Sequence, residues 1–182
     1  MLLIDADLRR PSIHQALKLP NSSGLSTWLS ETDTDRPHTL PSSVPNLDLL
    51  TTGPKPPYPA EMLGSSIFSS MLDRFRSEYD YVVIDSPPVL SVTDAVLMSL
   101  HADSVLLVIR SHKTTKGALR RSLDVLHHAN ARVMGIVLNA FNVNGEEYTY
   151  YRYYYGDNHG AGYYSEKSEK GVTEAATDDQ DS

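Results

Sequence analysis

Five short apolar runs recur along the first 139 residues: "LLIDAD", "LDLLTTG", "YVVIDSPP", "DSVLLVIR" and "RVMGIVLN". Most are continuous rather than alternating, as in strands covered on both faces. Between them lie the helix-like segments "PSIHQAL", "GLSTWLSE", "SSIFSSMLDRFRSE", "VTDAVLMSLH" and "TKGALRRSLDVLHHA". In the last, Leu119, Leu123 and Leu126 share one face while Arg120 and Arg121 turn away. Strands alternating with helices predict an α/β domain, a parallel sheet flanked by helices.

The stretch "TGPKPPYPAEM" reads as a proline-rich surface loop, because proline feeds neither a strand ladder nor a helix interior. After Asn139 the periodicity ends. Residues 1–139 are therefore expected to form the α/β domain, 140–164 a tyrosine-rich cluster and 165–182 a disordered acidic tail. Eight of the eleven tyrosines fall in that cluster: Tyr148, Tyr150, Tyr151, Tyr153, Tyr154, Tyr155, Tyr163 and Tyr164.

The formal net charge is −7, and nine acids against three bases beyond Asn139 account for most of it. No net positive field draws in nucleic acid, so no nucleic-acid partner is expected. The absence of cysteine excludes disulfides, thiolate catalysis and cysteine-ligated zinc. No apolar run reaches membrane-spanning length.

In open α/β sheets, ligands gather beyond the carboxyl ends of the strands. The acids there are Asp5 and Asp7 in "LLIDADLRRP" and Asp85 in "YVVIDSPP". Alternation along a strand points Asp5 and Asp7 to one side. With Asp85 on a neighbouring strand they would make a cluster fit for Mg²⁺, which takes one or two carboxylates with waters and phosphates. An aspartate after an apolar strand also serves to cap the next helix, and Asp85 fits that role too. The three together favour a nucleotide site. Such a site normally has a glycine-rich loop ending in Gly-Lys-Ser/Thr. None of the ten glycines here is followed by lysine, and the first, Gly24, lies past the first strand.

The segments "LLIDADLRRPSIHQALKLPNSSGLSTWLS", "NLDLLTTGPKPPYPAEML", "YDYVVIDSPPVLSVTDAVLM", "ADSVLLVIRSHKTTKGALRRSLDVL" and "RVMGIVLNAF", followed by a tyrosine cluster, resemble in order the bacterial protein-tyrosine kinases of the capsular and exopolysaccharide biosynthesis family. The likeness runs from about Met1 to Tyr164. Within it "LLIDADLRRP" resembles a Walker A′ motif and "YVVIDSPP" a Walker B motif. The fold implied is P-loop NTPase-like. The family's Walker A strand and helix precede the A′ strand, and Met1 falls inside that strand. The resemblance therefore implies the C-terminal part of a cytoplasmic kinase domain, without the P-loop strand and helix, and poorly active alone.

Carried onto these positions, the resemblance implies ATP and Mg²⁺ as cofactors. Asp7 and Asp85 would hold the metal, and Asp5 would serve as base toward a tyrosine hydroxyl. The cluster tyrosines would be the phospho-acceptors. It further implies a homo-oligomeric ring of kinase domains, a membrane-spanning polysaccharide co-polymerase or activator, and a tyrosine phosphatase. The implied location is the cytoplasmic, inner face of the plasma membrane, reached through a partner or an upstream domain. Two other readings stand beside it: a non-catalytic phospho-acceptor of the same system, and a partition- or septum-positioning-type ATPase.

Other residues say less. Asn139 and Arg110, at strand ends, are expected to line the nucleotide pocket, the alternatives being a strand-end cap for Asn139 and a solvated side chain for Arg110. Lys113 is open to the same two readings as Arg110. Arg9 and Arg10 either offset the neighbouring acids or touch another subunit. The histidines show no metal-ligand spacing, and Trp28 reads as a packing anchor.

Overall fold

The computed structural model describes residues 1–30 and 39–142. In chain order the elements are β1 (Leu2–Asp5), α1 (Ile13–Ala16), α2 (Leu25–Ser30), β2 (Leu40–Pro41), β3 (Asp48–Leu50), α3 (Pro59–Leu63), α4 (Ser66–Glu78), β4 (Val82–Asp85), α5 (Asp94–Ser99), β5 (Val105–Arg110), α6 (Lys116–His128) and β6 (Val133–Asn139). Met1–Ala140 forms one compact unit. The tyrosine cluster and the acidic tail lie outside the described residues.

The α/β expectation holds, with the strands divided between two sheets. One has the order β2-β3-β1-β4 and the other is β5-β6. β1 pairs in parallel with β3 on one side and with β4 on the other, in the registers Ile4↔Leu50 and Ile4↔Ile84. β5 and β6 are also parallel, from Val105↔Val133 to Arg110↔Asn139. β1 lies between two partners, and Leu2 and Ile4 are accordingly buried, as are Ala6 and Leu8 just past its end. β4 ends the first sheet and leaves Val83 46% exposed.

The core gathers where α4 lies against β1. Phe68, Met71, Leu72 and Phe75 recur at helical spacing and form the buried face of α4. The helix begins at Ser65, whose hydroxyl accepts a hydrogen bond from the Phe68 amide and satisfies a first-turn donor. Trp28 of α2 meets Phe75 edge to face with centroids 5.1 Å apart, so its role as a packing anchor is plain.

Two small elements differ from the sequence reading. "TGPKPPYPAEM" is not wholly loop, because Pro59 opens α3 and is buried there with Leu63. Proline is tolerated at a first helical position, where its missing N–H would have no partner in any case. β2, at Leu40–Pro41, adds an antiparallel edge beside β3; two residues are too few to leave a period.

The loop after β3 abuts α2. The Leu25 and Ser26 amides donate to the Thr51 and Thr52 carbonyls, each at 2.8 Å. Gly24 permits this approach, since a Cβ there would stand 2.1 Å from the Thr51 oxygen.

Candidate active site

Parallel pairing of β1 with β4 makes Asp5 and Asp85 register partners at the carboxyl ends of adjacent strands. Beyond them the chain leaves the sheet, and the Ala6 amide donates to the Asp85 carbonyl at 2.9 Å. β1 stops at Asp5, so Asp7 lies past the strand in a turn. There its Oδ1 accepts from the Arg9 and Arg10 amides at 3.2 and 2.9 Å.

Asp5 is fully buried. Its Oδ2 accepts from the Ser12 and Ile13 amides at 3.3 and 3.1 Å, at the start of α1. Its buried Oδ1 has no hydrogen-bond partner. Burial raises the Asp5 carboxyl above the ordinary aspartate range, against the pull of the nearby amides, and the charge of Asp7 adds to the rise. Asp85 is raised as well, first by desolvation and then by the charges of Asp5 and Asp7. The three acids thus feel one another.

This is a place where positive charge is wanted. Among the described residues no group of three or more acids or histidines encloses an ion by itself. A hard cation held by one or two of these carboxylates, with the rest of its shell from water and phosphate, fits the donor set, and the unpartnered Asp5 oxygen supports that fit. No Gly-Lys-Ser/Thr loop of the kind that cradles phosphate stands among the 182 residues.

Arg9 pairs with an acid distant in the chain. Its Nε and a terminal guanidinium nitrogen donate to both Asp94 oxygens, at 2.8 and 2.9 Å. Asp94 is the fully buried first residue of α5. Sequence reasoning passed over Asp94 because its partner lies 85 residues away; an acid in the first turn of a predicted helix was the one available signal.

Arg110 and Asn139 are brought together as register partners at the carboxyl end of the other sheet. The Arg110 amide donates to the Thr114 hydroxyl at 2.9 Å. The Asn139 side chain accepts from the Ala140 amide at 2.7 Å. Both stand at the end of β5-β6, on a different sheet from the acids.

A family model described as an AAA domain matches residues 3–134. CapB of Staphylococcus aureus, which carries a tyrosine-protein kinase name, is 36% identical over 156 residues, covering 86% of this chain and 68% of CapB. The tyrosine-protein kinase YwqD of Bacillus subtilis is 37% identical over 152 residues, covering 83% of this chain and 64% of YwqD. The chain spans 24% of the EpsB protein of Ralstonia nicotianae, another relative with a kinase name. Among solved structures, the kinase domain of the Escherichia coli tyrosine kinase ETK matches with a TM-score of 0.74 and 31% identity, covering 79% of this chain and 56% of that one. A plasmid partition protein from Borrelia burgdorferi, at 23% identity and a TM-score of 0.61, shares the fold alone. This chain belongs to the family of bacterial tyrosine-protein kinases.

Proposed function

We propose that this chain contributes the metal-binding, acidic half of an ATP-dependent tyrosine autokinase site in capsule or exopolysaccharide production. The observation that carries this reading is the Asp5–Asp85 register pair, with Asp7 beside it and the carboxyl pKa values of Asp5 and Asp85 raised. Asp7 and Asp85 would hold Mg²⁺, and Asp5, with one oxygen fixed by two amides, would orient the group or take a proton. Bound there, Mg²⁺ would neutralise charge on the terminal phosphates of ATP. The chain's own contribution is placement: an N–H-anchored Asp7, a buried Asp5 and an exposed strand-end Asp85.

Without a Gly-Lys-Ser/Thr loop, three acids repel a polyphosphate until metal is bound. This chain alone is therefore expected to bind ATP poorly and to transfer phosphate slowly. The end strands support completion by further chain. β4 pairs on one edge with β1 and β5 on one edge with β6, while Val83, Leu106 and Val108 remain 46–57% exposed. A strand lying between β4 and β5 would cover them and bring a phosphate-binding loop to the acids.

The tyrosines from Tyr148 to Tyr164 are proposed as acceptors for a neighbouring kinase protomer. Each phosphate adds about −1.5 to −2 charges. Several would repel neighbouring tails and loosen a ring of kinase domains, with a tyrosine phosphatase reversing the change. A membrane-spanning activator would hold the assembly at the inner face of the plasma membrane. Among the described residues no helix is long and apolar enough to cross a membrane.

The lack of a phosphate cradle also favours a second reading, a phospho-acceptor that serves an intact kinase without catalysing. Incubation with ATP, Mg²⁺ and an intact family kinase, read by mass spectrometry, tests both. Phosphate within Tyr148–Tyr164 is expected with the intact kinase and little without it. No phosphate there removes the acceptor role. Rapid labelling by the chain alone overturns the predicted weak activity.

A further inference from the structure

We infer that Asp94 keeps the Arg9 guanidinium off Asp7 and so preserves Asp7 as an anionic metal ligand, making Asp94 a positioning residue. This rests on the reading of Asp7 as a ligand for a divalent cation.

Three carboxylates act on the Arg9 guanidinium, Asp94, Asp7 and Glu61, and of these Asp7 is the one in the metal-binding reading. Asp7, two residues earlier in the same turn, lies near enough for its charge to act on the guanidinium. The guanidinium nevertheless goes to Asp94, with two donors on two oxygens at 2.8 and 2.9 Å. Such forked pairing is among the strongest geometries open to arginine. It fixes the Arg9 side chain from 85 residues away. The Arg9 backbone, meanwhile, gives its amide to Asp7 Oδ1. One residue thus orients Asp7 through a neutral main-chain donor while its positive charge is spent elsewhere.

The consequence for a cation is direct. A guanidinium paired with Asp7 would compete for the oxygens that the metal needs and offset the charge that attracts it. Asp94 removes this competitor. Its own burial strengthens the arrangement, because a fully buried carboxylate requires a partner, and among the described residues Arg9 is the side chain paired with it. A mere staple between the β1 turn and α5 would make a different prediction, since a staple is lost whenever either member is lost.

The test uses the 182-residue chain with Mn²⁺ as the probe, in the variants D94N and R9Q/D94N. D94N keeps the shape of the side chain but frees the guanidinium, and Mn²⁺ affinity is expected to fall on the order of tenfold. R9Q/D94N replaces both charges with a neutral amide pair and removes the competitor, so affinity should recover to within a few-fold of the unaltered chain. A double variant as weak as D94N overturns the inference and leaves a structural staple. A second readout needs no metal. Hydrogen-bond scalar coupling from the Arg9 side-chain nitrogen should run to the Asp94 carboxyl in the unaltered chain and to the Asp7 carboxyl in D94N. No coupling to Asp7 in D94N also overturns the inference. If the unaltered chain binds no Mn²⁺ while the coupling moves to Asp7, the metal reading fails and the guanidinium switch stands.

Discussion

Asp5 and Asp85 are direct partners across β1 and β4, one fully buried and the other exposed, at the carboxyl ends of neighbouring parallel strands. Burial raises both carboxyls above the ordinary aspartate range, the charge of Asp7 adds to the rise at Asp5, and the charges of Asp5 and Asp7 add to it at Asp85. A fold that keeps such a pair gives up some stability.

Removing one charge should therefore stabilise the protein. Asp85→Asn removes a carboxylate that desolvation and the charges of Asp5 and Asp7 disfavour, and is expected to gain about 0.5–1 kcal/mol at neutral pH, a modest figure because Asp85 is solvent-screened. The gain should vanish in acid. A carboxyl whose folded pKa is raised holds its proton longer in the folded state, so its contribution favours folding below the unfolded value and is lost as pH rises through the folded one. Urea unfolding of both proteins from about pH 3.5 to 8 measures the difference, which should open with rising pH.

Cation binding should follow the same titration. Mn²⁺ must displace the protons that Asp5 and Asp85 retain, so its affinity is expected to weaken on acidification at a pH above the ordinary value of about 3.9. Calorimetry in buffers of different ionisation enthalpy should show proton release near that midpoint and none well above it.

Gly24→Ala should be costly although the backbone there needs no special conformation. Its Cβ would lie 2.1 Å from the Thr51 oxygen and 2.5 Å from the Gly53 nitrogen, both main-chain atoms with little room to yield. A loss of about 2–3 kcal/mol, as for other overpacked positions, is expected in denaturant unfolding.

The apolar strands beside the open edges should make the isolated chain adhesive. Val83, Leu106, Val108, Met134, Ile136 and Leu138 are each 46–67% exposed, too many for an ordinary monomer surface. Sedimentation should show association that grows with concentration, together with binding of an apolar dye. Leu106→Lys with Val108→Lys should reduce both while changing stability by no more than about 0.5 kcal/mol.

Much of this was legible in the residues. The strands showed as continuous apolar runs because burial on both faces leaves little room for polar alternation. The strand-end acids stood out for the same reason, as charges directly after "LLI" and "VVI". What the sequence concealed depends on distance along the chain. The separation of β4 from β5 is a matter of which strands pair, and no local pattern carries that. The Arg9–Asp94 bond spans 85 residues. α3 was hidden by a proline taken as a breaker where it serves as a first helical residue.

Paramagnetic mapping with Mn²⁺ would decide whether these acids form a cation site. Signals of Asp5 to Asp7 and of Asp85 and Ser86 should broaden together at substoichiometric metal, and Asp7→Asn with Asp85→Asn should abolish the effect. Broadening confined to other acids of the chain, or surviving that double substitution, would contradict the assignment.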